Sequence, residues 1–525
     1  MAQRLKRRAV LAGMAGGALV RPAGASAAHV LHFIPETGLV NPDPVALPSA
    51  VGRVHGMMVW DLLYGMTTAG EAQPQMAAGH EVSAEGLVWR FTLREGLFFH
   101  DGSRVLAADC VASIRRWGAR RAFGRRLLDS TEAITAEDDR RFSIRLFRPF
   151  PLMLTALASD LCFVMPERLA ATDPTVAVAE IIGSGPYRFL PDAFVPGSRA
   201  AYARFARYDP IPGAVDFTAG PKRALVERVE WAAYADPAAA VAAMLRGEAD
   251  WWDNPPVDML GALREGAGLR VVTNTLGGVT PLLAINHLNP PFSNRRLMRA
   301  ILPALDQQVF MTAALASEPQ QARTGVGFFP PGSPYAGTFG LEALTGPRDI
   351  ELSRRLVQES GYGGETVLLM SPTDIPALRA LTEVASDLFQ SIGLIVETVG
   401  MEWSTLLQRR NSRAIPEQGG WSAFAPTFPS LALASPATHL PLRGIGTAGW
   451  FGWPTSRRLE ALRDAWFDAT SQRARVRICE EMQKIAMAEV PYIPLGHWHG
   501  AAALRREIAG VGRAPYPLFW GVKKS

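Results

Sequence analysis

A stretch near residue 90 constrains the fold of this chain more than any other feature. In Val88–Leu93, Trp, Phe and Leu alternate with Val, Arg and Thr, and this period of two predicts a half-buried β-strand. Glu95-Gly96 follows as a turn. Phe98-Phe99 opens a second apolar run, which Asp101-Gly102 ends because glycine tolerates positive φ. With a helix predicted for Ala107–Trp117, the stretch predicts strand, turn, strand and helix.

The length of the chain sets its number of domains. At 525 residues it is too long for one hydrophobic core, which predicts two to four domains. Apolar residues make up 48% and charged residues 20% of the sequence, a balance typical of globular proteins. No run of about 18 apolar residues occurs, so the sequence predicts no membrane span.

The first 27 residues have the composition of a signal peptide rather than of a folded element. Four basic residues lie between positions 4 and 8. Ala9–Val20 is an apolar, glycine-containing run too short to span a bilayer, and Ala25-Ser26-Ala27 is a small-residue cleavage site. These features predict export to the periplasm. Arg7-Arg8 permits twin-arginine export as well as ordinary Sec export, and the two routes stay open.

The formal net charge of +5 comes from this leader. The leader holds five of the 54 basic residues and no acidic one, so 49 basic residues remain against 49 acidic ones. A mature protein without net charge gives no electrostatic reason to expect a nucleic-acid partner.

Three cysteines occur, at positions 110, 162 and 479. None lies near the predicted cleavage site, so we expect a soluble periplasmic protein rather than a lipid-anchored one. Buried apolar thiols are the expectation for all three. A disulfide between Cys110 and Cys162 stays an alternative for an exported protein, because spacing alone cannot decide it.

The sequence carries no catalytic signature. It has no HExxH metalloprotease motif, no GxSxG nucleophile elbow, no P-loop and no CxxC pair. His497 and His499 share one face of a predicted strand, but two ligands without a nearby Cys or carboxylate make a weak metal site. The pair is predicted to lie at the surface or rim. We therefore expect no catalytic residues, no metal and no cofactor.

Helix and strand patterns alternate along the rest of the chain. The main predicted elements are the helices Val54–Tyr64, Pro237–Arg246 (capped by Asp236), Pro376–Ile392 and Glu402–Arg410, and the strands Trp251–Asn254, Pro281–Asn286, Thr366–Met370 and Leu394–Val399. The order strand, helix, strand between residues 366 and 399 predicts a parallel pair with a right-handed crossover.

The stretch near residue 90 also resembles the signature of the family 5 extracellular solute-binding proteins of ABC transporters, which bind peptides, nickel and opines. The matching residues are Gly86-Leu87, Phe91, Leu93–Gly96, Phe99–Gly102 and Ala107–Asp109, with further matches at Gly183–Phe189, Gly247–Asp250 and Ile285–Asp306. The resemblance extends from about residue 30 to about residue 510.

The resemblance implies an α/β, two-lobed periplasmic-binding-protein fold of class II type with an extra subdomain and a cleft between the lobes. The first lobe would comprise 28–48, 184–272 and 496–525, the subdomain 49–183, and the second lobe 273–495. It implies a monomer that captures a small-molecule or peptide solute by hinge closure. Its other partners would be the membrane permease subunits of an ABC transporter.

The resemblance also places the loop after the first strand, with Thr37, and the residues after Asp250 in the cleft. Adjacent Trp251 and Trp252 face opposite sides of a strand, so one is expected in the core and the other in the pocket. We expect Trp252, Asp253 and Asn254 to contact the solute.

A charge-poor aromatic segment from Gly419 to Pro454 supplies rigid rings on loops. Pockets for small molecules are mostly apolar, and an exposed apolar segment favours aggregation unless it is packed or occupied. Trp421 is therefore predicted to contact the solute, and Trp403 is a further candidate. Packing of these rings between the lobes stays an alternative.

Position 424 departs from the pattern of the family's peptide binders. In those proteins a Gly-Trp pair is followed three residues later by an Asp that holds the α-amino group of the ligand, whereas Gly420-Trp421 is followed here by Phe424. A ring cannot make that charge-assisted bond. Phe424 therefore predicts contact with an uncharged end of the solute, or an amine held by Asp253. Alternatives are a true peptide binder with another amine anchor, a secreted hydrolase with non-contiguous catalytic residues, and a receptor for sensing.

Overall fold

The computed structural model describes residues 30–159, 161–315 and 317–525. The predicted signal peptide and the first two residues of the predicted first lobe lie outside the described residues. The strands, in chain order, are β1 Val30–Ile34, β2 Tyr64–Met66, β3 Ala72–Pro74, β4 Ala77–Val82, β5 Val88–Leu93, β6 Thr131–Ala136, β7 Arg141–Leu146, β8 Tyr187–Phe189, β9 Arg199–Arg204, β10 Arg228–Ala232, β11 Trp251–Asp253, β12 Leu269–Ile285, β13 Ala322–Arg323, β14 Val367–Pro372, β15 Val396–Met401, β16 Ala423–Phe424, β17 Thr427–Pro429, β18 Ile493–Pro494, β19 His497–Arg505, β20 Ile508–Ala509 and β21 Lys523–Lys524.

The α-helices are α1 Ala50–Val59, α2 Ala107–Arg120, α3 Ala122–Leu128, α4 Met153–Ala158, α5 Glu167–Ala170, α6 Pro237–Arg246, α7 Leu260–Glu265, α8 Arg295–Ile301, α9 Gln307–Ala314, α10 Glu342–Thr345, α11 Ile350–Glu359, α12 Pro376–Ser391, α13 Trp403–Arg409, α14 Ser430–Leu433, α15 Arg457–Asp468 and α16 Gln472–Glu489. In the part of the chain that the structure describes, none of these helices combines the length and apolar character needed to cross a bilayer.

One large sheet organises the molecule. Its strand order is β15-β14-β16-β12-β19-β11-β1-β10-β9-β8, and the short strands β13, β17 and β18 pair with β12 or β19. We call β8, β9, β10, β1 and β11 the first half of the sheet, and β16, β14 and β15 the second half. β1 lies between two parallel neighbours, β10 and β11, so all three strands end at the same edge of the first half.

Two long central strands, β12 and β19, connect the halves. Residues 269–274 of β12 pair antiparallel with residues 500–505 of β19, beside the first half. After a register shift between Asn274 and Val279, β12 continues along β17, β18 and β16. The predicted strand Pro281–Asn286 is thus only the final part of a 17-residue strand.

The stretch that opened the sequence analysis forms a separate four-stranded sheet of order β4-β5-β7-β6, with α2 packed on it. The predicted strand matches β5, and the predicted helix is α2. The Asp109 carboxylate accepts from the Leu106 backbone N–H at the start of this helix, at 2.7 Å. A carboxylate at a helix N-terminus is favourable because it satisfies a free amide and opposes the helix dipole.

Capping and crossover patterns were also predicted correctly. The Asp236 side chain accepts from the Ala238 N–H at 2.9 Å, and α6 ends at Gly247 in the left-handed region with φ 74°. β14 and β15 pair in parallel, and α12 connects them. These elements depend on residues close to one another in sequence, which is why local patterns find them.

The predicted helix Val54–Tyr64 was placed wrongly. α1 begins four residues earlier because the Ser49 side chain caps it, accepting from the Gly52 N–H at 3.0 Å. The helix ends at Val59, and Trp60 is already extended with φ −114°. The apolar residues that follow belong to β2 and to the core around it.

The apolar interior consists of one large cluster and a smaller one. The smaller cluster includes Ile34, Met244, Trp252 and Leu263, and it packs α6 and α7 against one face of the first half of the sheet. Cys110, Cys162 and Cys479 are buried and unpaired. The expectation of buried thiols is confirmed, and the alternative Cys110–Cys162 disulfide is not formed.

Candidate binding cavity

A cavity of about 460 Å³ lies at the carboxyl ends of β1 and β11, where β12 and β19 pass between the halves of the sheet. Its volume is within the range of small-molecule pockets, roughly 300–1,000 Å³. Crevices at the carboxyl ends of parallel strands are the usual ligand sites of open α/β sheets. The wall is formed by Phe33, Pro35, Glu36, the start of α1, Trp251, Asp253, Asn254, residues 270 and 272–279 of β12, 429–431, residues 500–502 and 504 of β19, and 510–517.

The irregular part of β12 shapes one side of the cavity. The Asn274 side-chain oxygen accepts from the backbone N–H groups of Leu276 and Gly277, at 3.2 and 2.9 Å. A Cβ atom at Gly277 would lie 2.6 Å from the Pro515 carbonyl oxygen, so the absence of a side chain allows β12 to approach the C-terminal loop. The bulge therefore turns the strand around the cavity.

Residues 429–431, at the end of β17 and the start of α14, also line the cavity. Ser430, which lines the cavity, lies 3.2 Å from Nδ1 of His497, and the Thr280 hydroxyl lies 3.2 Å from the same nitrogen. His497 thus connects β12, β19 and the first turn of α14. The wall therefore combines residues of the first half of the sheet, of the central strands β12 and β19, and of the segment 429–431.

The prediction that His497 and His499 lie at the surface or rim was wrong. They are 1% and 8% exposed, because β19 is a central strand between β12 and β13 rather than an edge. Burial lowers the pKa of His497 to about 3. Among residues 30–159, 161–315 and 317–525, no group of three or more His, Cys, Asp or Glu side chains is arranged to hold a metal ion.

β11 presents alternate side chains to the cavity. Trp251 and Asp253 line it, whereas Trp252 lies on the opposite face in the smaller core cluster. The expectation that one tryptophan is core and the other faces the pocket agrees with this arrangement, but the two are exchanged relative to the predicted choice. The Trp251 ring also packs on Phe33 and Phe519, each at 5.2 Å between centroids.

Asn254 ends β11 in a left-handed conformation, with φ 52°. Asparagine adopts this region more readily than most residues. Its backbone N–H donates to the Ala501 carbonyl at 2.9 Å, and its Nδ2 donates to Oε1 of Glu36 at 2.7 Å. The turn therefore fixes the end of β11 to both β19 and the loop after β1.

Asp253 is an acidic side chain of the cavity wall whose carboxylate has no partner within the described residues. No hydrogen bond or ion pair reaches its carboxylate from any residue that the structure describes. Burial raises the pKa of Asp253 well above its usual value, and the nearby Glu36 charge raises it further. Three arginines, at positions 53, 270 and 513, also line the cavity. Arg53 lies over the Tyr516 ring at 5.5 Å, and Arg270 donates to the Ile508 carbonyl at 2.9 Å.

The structure does not bring Trp421 or Phe424 to this cavity. Both are fully buried, with ring centroids 5.1 Å apart, in the second half of the sheet. The Trp421 indole N–H donates to the Arg410 carbonyl at 3.1 Å, and the ring also packs on Trp453. Contact of these rings with solute stays a prediction, and their present packing is the alternative that the sequence left open.

Thr37 and Trp403 are also outside the cavity wall. Thr37 is exposed in the loop after β1, next to the lining residues Pro35 and Glu36. Trp403 is half-buried at the start of α13, where its backbone N–H donates to the Asp374 carboxylate at 2.8 Å. Of the seven predicted contact residues, the cavity brings together Asp253 and Asn254.

Several lining residues were missed from the sequence. Glu36 lies in the loop after β1, which the resemblance had placed in the cleft. The loop was thus identified, but Thr37 was chosen from it instead of Glu36. Trp251 lines the cavity, whereas the prediction chose its neighbour Trp252. The segment 510–517 is rich in Gly and Pro, which predict turns, and no local pattern marked it as cavity wall.

Comparison with known proteins connects this geometry to a family. Residues 71–434 match the family model described as bacterial extracellular solute-binding proteins, family 5, middle region. A probable peptide ABC transporter periplasmic-binding protein of Sinorhizobium fredii, y4tO, is 32% identical over 485 residues, which cover 92% of this chain and 91% of that protein.

Solved structures show the same fold. AgaA of A. tumefaciens R10, in complex with agropinic acid, superposes with a TM-score of 0.75 at 20% identity, covering 94% of this chain and 99% of that one. A dipeptide-binding protein of Pseudoalteromonas sp. SM9913, in complex with Met-Leu, superposes with a TM-score of 0.77 at 18% identity, covering 94% and 100%. The fold is the two-lobed α/β architecture of periplasmic binding proteins. The chain belongs to the bacterial extracellular solute-binding proteins of family 5, the solute-capturing components of ABC importers.

Proposed function

We propose that this chain is exported to the periplasm, captures a small peptide-like or other amphipathic solute in the cavity, and delivers it to the membrane permease subunits of an ABC importer. The observation that carries the proposal is the position of the cavity, at the carboxyl ends of β1 and β11 and between the halves of the sheet. The relatives support the solute class, because y4tO is named for peptide transport and the superposed structures hold agropinic acid and Met-Leu.

In this proposal the lobes keep the predicted bounds. The first lobe is 28–48 with 184–272 and 496–525, the subdomain is 49–183, and the second lobe is 273–495. β12 runs through the boundary at 272, and β19 begins just after the boundary at 495. Bending of these two strands near the register shift would move one lobe relative to the other.

The wall of the cavity suits an amphipathic solute. Phe33, Trp251 and Tyr516 supply aromatic surface, whereas Asp253, Asn254 and the arginines supply polar groups. Such a mixture of apolar wall and a few polar groups is typical of specific small-molecule sites. A volume of about 460 Å³ is suited to a small solute rather than to a long or folded polypeptide.

Closure requires no covalent chemistry. A solute that contacts both lobes binds the closed state better than the open one, and this difference in affinity shifts the population toward closure. The closed monomer is then the form that docks on the permease. The residues described above act by binding and by excluding water.

The proposal is tested by a thermal-shift screen of di- and tripeptides, opines and amino acids, followed by small-angle X-ray scattering with the solutes that stabilise the protein. Binding to the native state raises the melting temperature, and closure reduces the radius of gyration. Mass spectrometry of the recovered solutes should show them unchanged. A screen without any stabilising solute, or a recovered solute that has been cleaved, would contradict the proposal.

A further inference from the structure

Asp253 faces the cavity by virtue of the strand that carries it. Side chains two residues apart share one face of a strand, and Trp251 and Asp253 both line the cavity while Trp252 packs in the core on the other face. The orientation of Asp253 is therefore fixed by the packing of its two tryptophan neighbours. Its position does not depend on a mobile loop.

No positively charged side chain pairs with Asp253 among the residues that the structure describes. The Asp253 carboxylate has no hydrogen-bond or ion-pair partner in the described part of the chain, and the charge that acts on it is Glu36, which has the same sign. The arginines of the wall do not reach it. Arg270 is bonded to the Ile508 carbonyl and Arg53 lies over Tyr516.

Asp253 is half-buried, and a carboxylate that is partly removed from water without a partner destabilises a protein. The surroundings of Asp253 place a second carboxylate beside it. Asn254 adopts a left-handed conformation and uses its side chain to hold Glu36, at 2.7 Å, beside Asp253. Three arginines also line the wall. The two neighbouring carboxylates nevertheless form an acidic end of the cavity that is complementary to a positively charged group.

We propose that Asp253 is the residue that recognises the solute, binding a primary ammonium or guanidinium group, with Glu36 as the second carboxylate on the same charge. The inference rests on the proposed function and specifies its solute class: small molecules with a cationic end and an apolar or aromatic-compatible body. The cationic end lies at the carboxyl ends of β1 and β11, and the body lies along Trp251 and Tyr516.

The experiment measures affinity by calorimetry for three forms of one dipeptide: Met-Leu, N-methyl-Met-Leu and N-acetyl-Met-Leu. Methylation adds bulk and keeps the positive charge, whereas acetylation adds bulk and removes it. Each form is titrated into the wild-type protein, into Asp253→Asn, and into the matched control Asp258→Asn. Asp258 is exposed and does not line the cavity. A wider panel of free and N-acetylated di- and tripeptides, agmatine and lysine is screened in parallel.

We expect acetylation to weaken binding about 10- to 100-fold in the wild type and in Asp258→Asn, as for loss of a charged hydrogen bond. Methylation should have a much smaller effect. In Asp253→Asn the loss of affinity on acetylation should fall below about threefold, because the ammonium group of the dipeptide no longer has a carboxylate partner. A loss caused only by the bulk of the acetyl group would persist in this variant.

Other outcomes of these experiments distinguish a failure of the role of Asp253 from a failure of the proposed solute-binding function. An acetylation effect that is the same in Asp253→Asn, or stabilising solutes that all lack a cationic group, would overturn the role of Asp253 and leave solute binding intact. A protein that no member of either panel stabilises would overturn the proposed function as well.

Discussion

Asn254 donates a hydrogen bond from Nδ2 to Oε1 of Glu36 over 2.7 Å, and this bond joins the carboxyl ends of two neighbouring parallel strands beside the cavity. Each strand end then contributes an acidic side chain, Glu36 from the loop after β1 and Asp253 from β11. This junction places two acidic side chains next to each other in a wall that also contains three arginines.

Replacement of Asp253 by Asn should stabilise the ligand-free protein near neutral pH. Because burial raises the pKa of Asp253 in the folded protein, the folded state binds this proton more tightly than the unfolded state. Its contribution to stability is therefore present at low pH and is lost as the pH rises toward the folded pKa. Urea unfolding at pH 4 and pH 7 checks this: the variant should gain more at pH 7. An equal or smaller gain at pH 7 would contradict the assigned environment.

Trp421→Ala distinguishes a core role from a solute-binding role. Because Trp421 is fully buried and hydrogen-bonded to Arg410, truncation should lower the free energy of unfolding by about 3–5 kcal/mol. The affinity of the remaining folded protein should change little. The interpretation drawn from the sequence predicts the reverse, an affinity loss of about tenfold or more (roughly 1.4 kcal/mol) with little change in stability. Denaturation and calorimetry on the same preparation decide between them.

Acid should destabilise the protein before its carboxylates titrate. Burial lowers the pKa of five histidines: to about 3 for His55, His439 and His497, and to about 4 for His100 and His287. Below about pH 6.5 these histidines are protonated in the unfolded chain and stay neutral in the folded chain. The free energy of unfolding therefore falls as the pH falls. Each histidine contributes up to about 1.4 kcal/mol per pH unit. Urea midpoints between pH 7.5 and 5 measure the slope.

A matched variant makes the acid effect specific. The Nε2–H of His439 donates to the Phe328 carbonyl at 2.8 Å, and the Tyr492 hydroxyl lies 3.1 Å from the same nitrogen. His439→Gln keeps hydrogen-bonding capacity and removes the titration, so its stability should depend less steeply on pH. A wild-type midpoint that does not change between pH 7.5 and 5 would be inconsistent with buried neutral histidines.

Export should remove the first 27 residues. Mass spectrometry of protein from the periplasm of its own host should give a chain that begins at Ala28. Replacing Arg7-Arg8 by two lysines distinguishes the routes, because it should block twin-arginine export and leave Sec export working. Recovery of the uncleaved chain from the cytoplasm alone would contradict the periplasmic proposal.

Local sequence patterns predicted the elements whose signals are local. β5, α2 and the capped helix α6 were found because alternation, a turn glycine or a capping Asp stands within a few residues of the element it defines. The parallel pair β14–β15 followed from the order of its elements.

The residues that line the cavity are determined by contacts between segments distant in sequence, which local sequence patterns do not reveal. The sequence predicted that Trp251 and Trp252 would separate, but the choice of face is made by β1 and β19, which flank β11 in the sheet. His497 and His499 resembled an edge pair because the strands on either side of β19 come from residues near 279 and 322. The rings of the aromatic segment pack on one another, and the sequence left this packing open as an alternative to solute contact.

The central claim is that solute occupies the cavity between the halves of the sheet. Ala502, a half-buried residue of β19, lines that cavity, whereas Ala203, a half-buried residue of β9, does not. Calorimetric titration of the solute that most stabilises the wild type into Ala502→Trp and Ala203→Trp tests the claim directly. The account predicts that tryptophan at 502 abolishes detectable binding and that tryptophan at 203 leaves the affinity within about twofold of wild type (roughly 0.4 kcal/mol). Undiminished binding by a folded Ala502→Trp protein would contradict it.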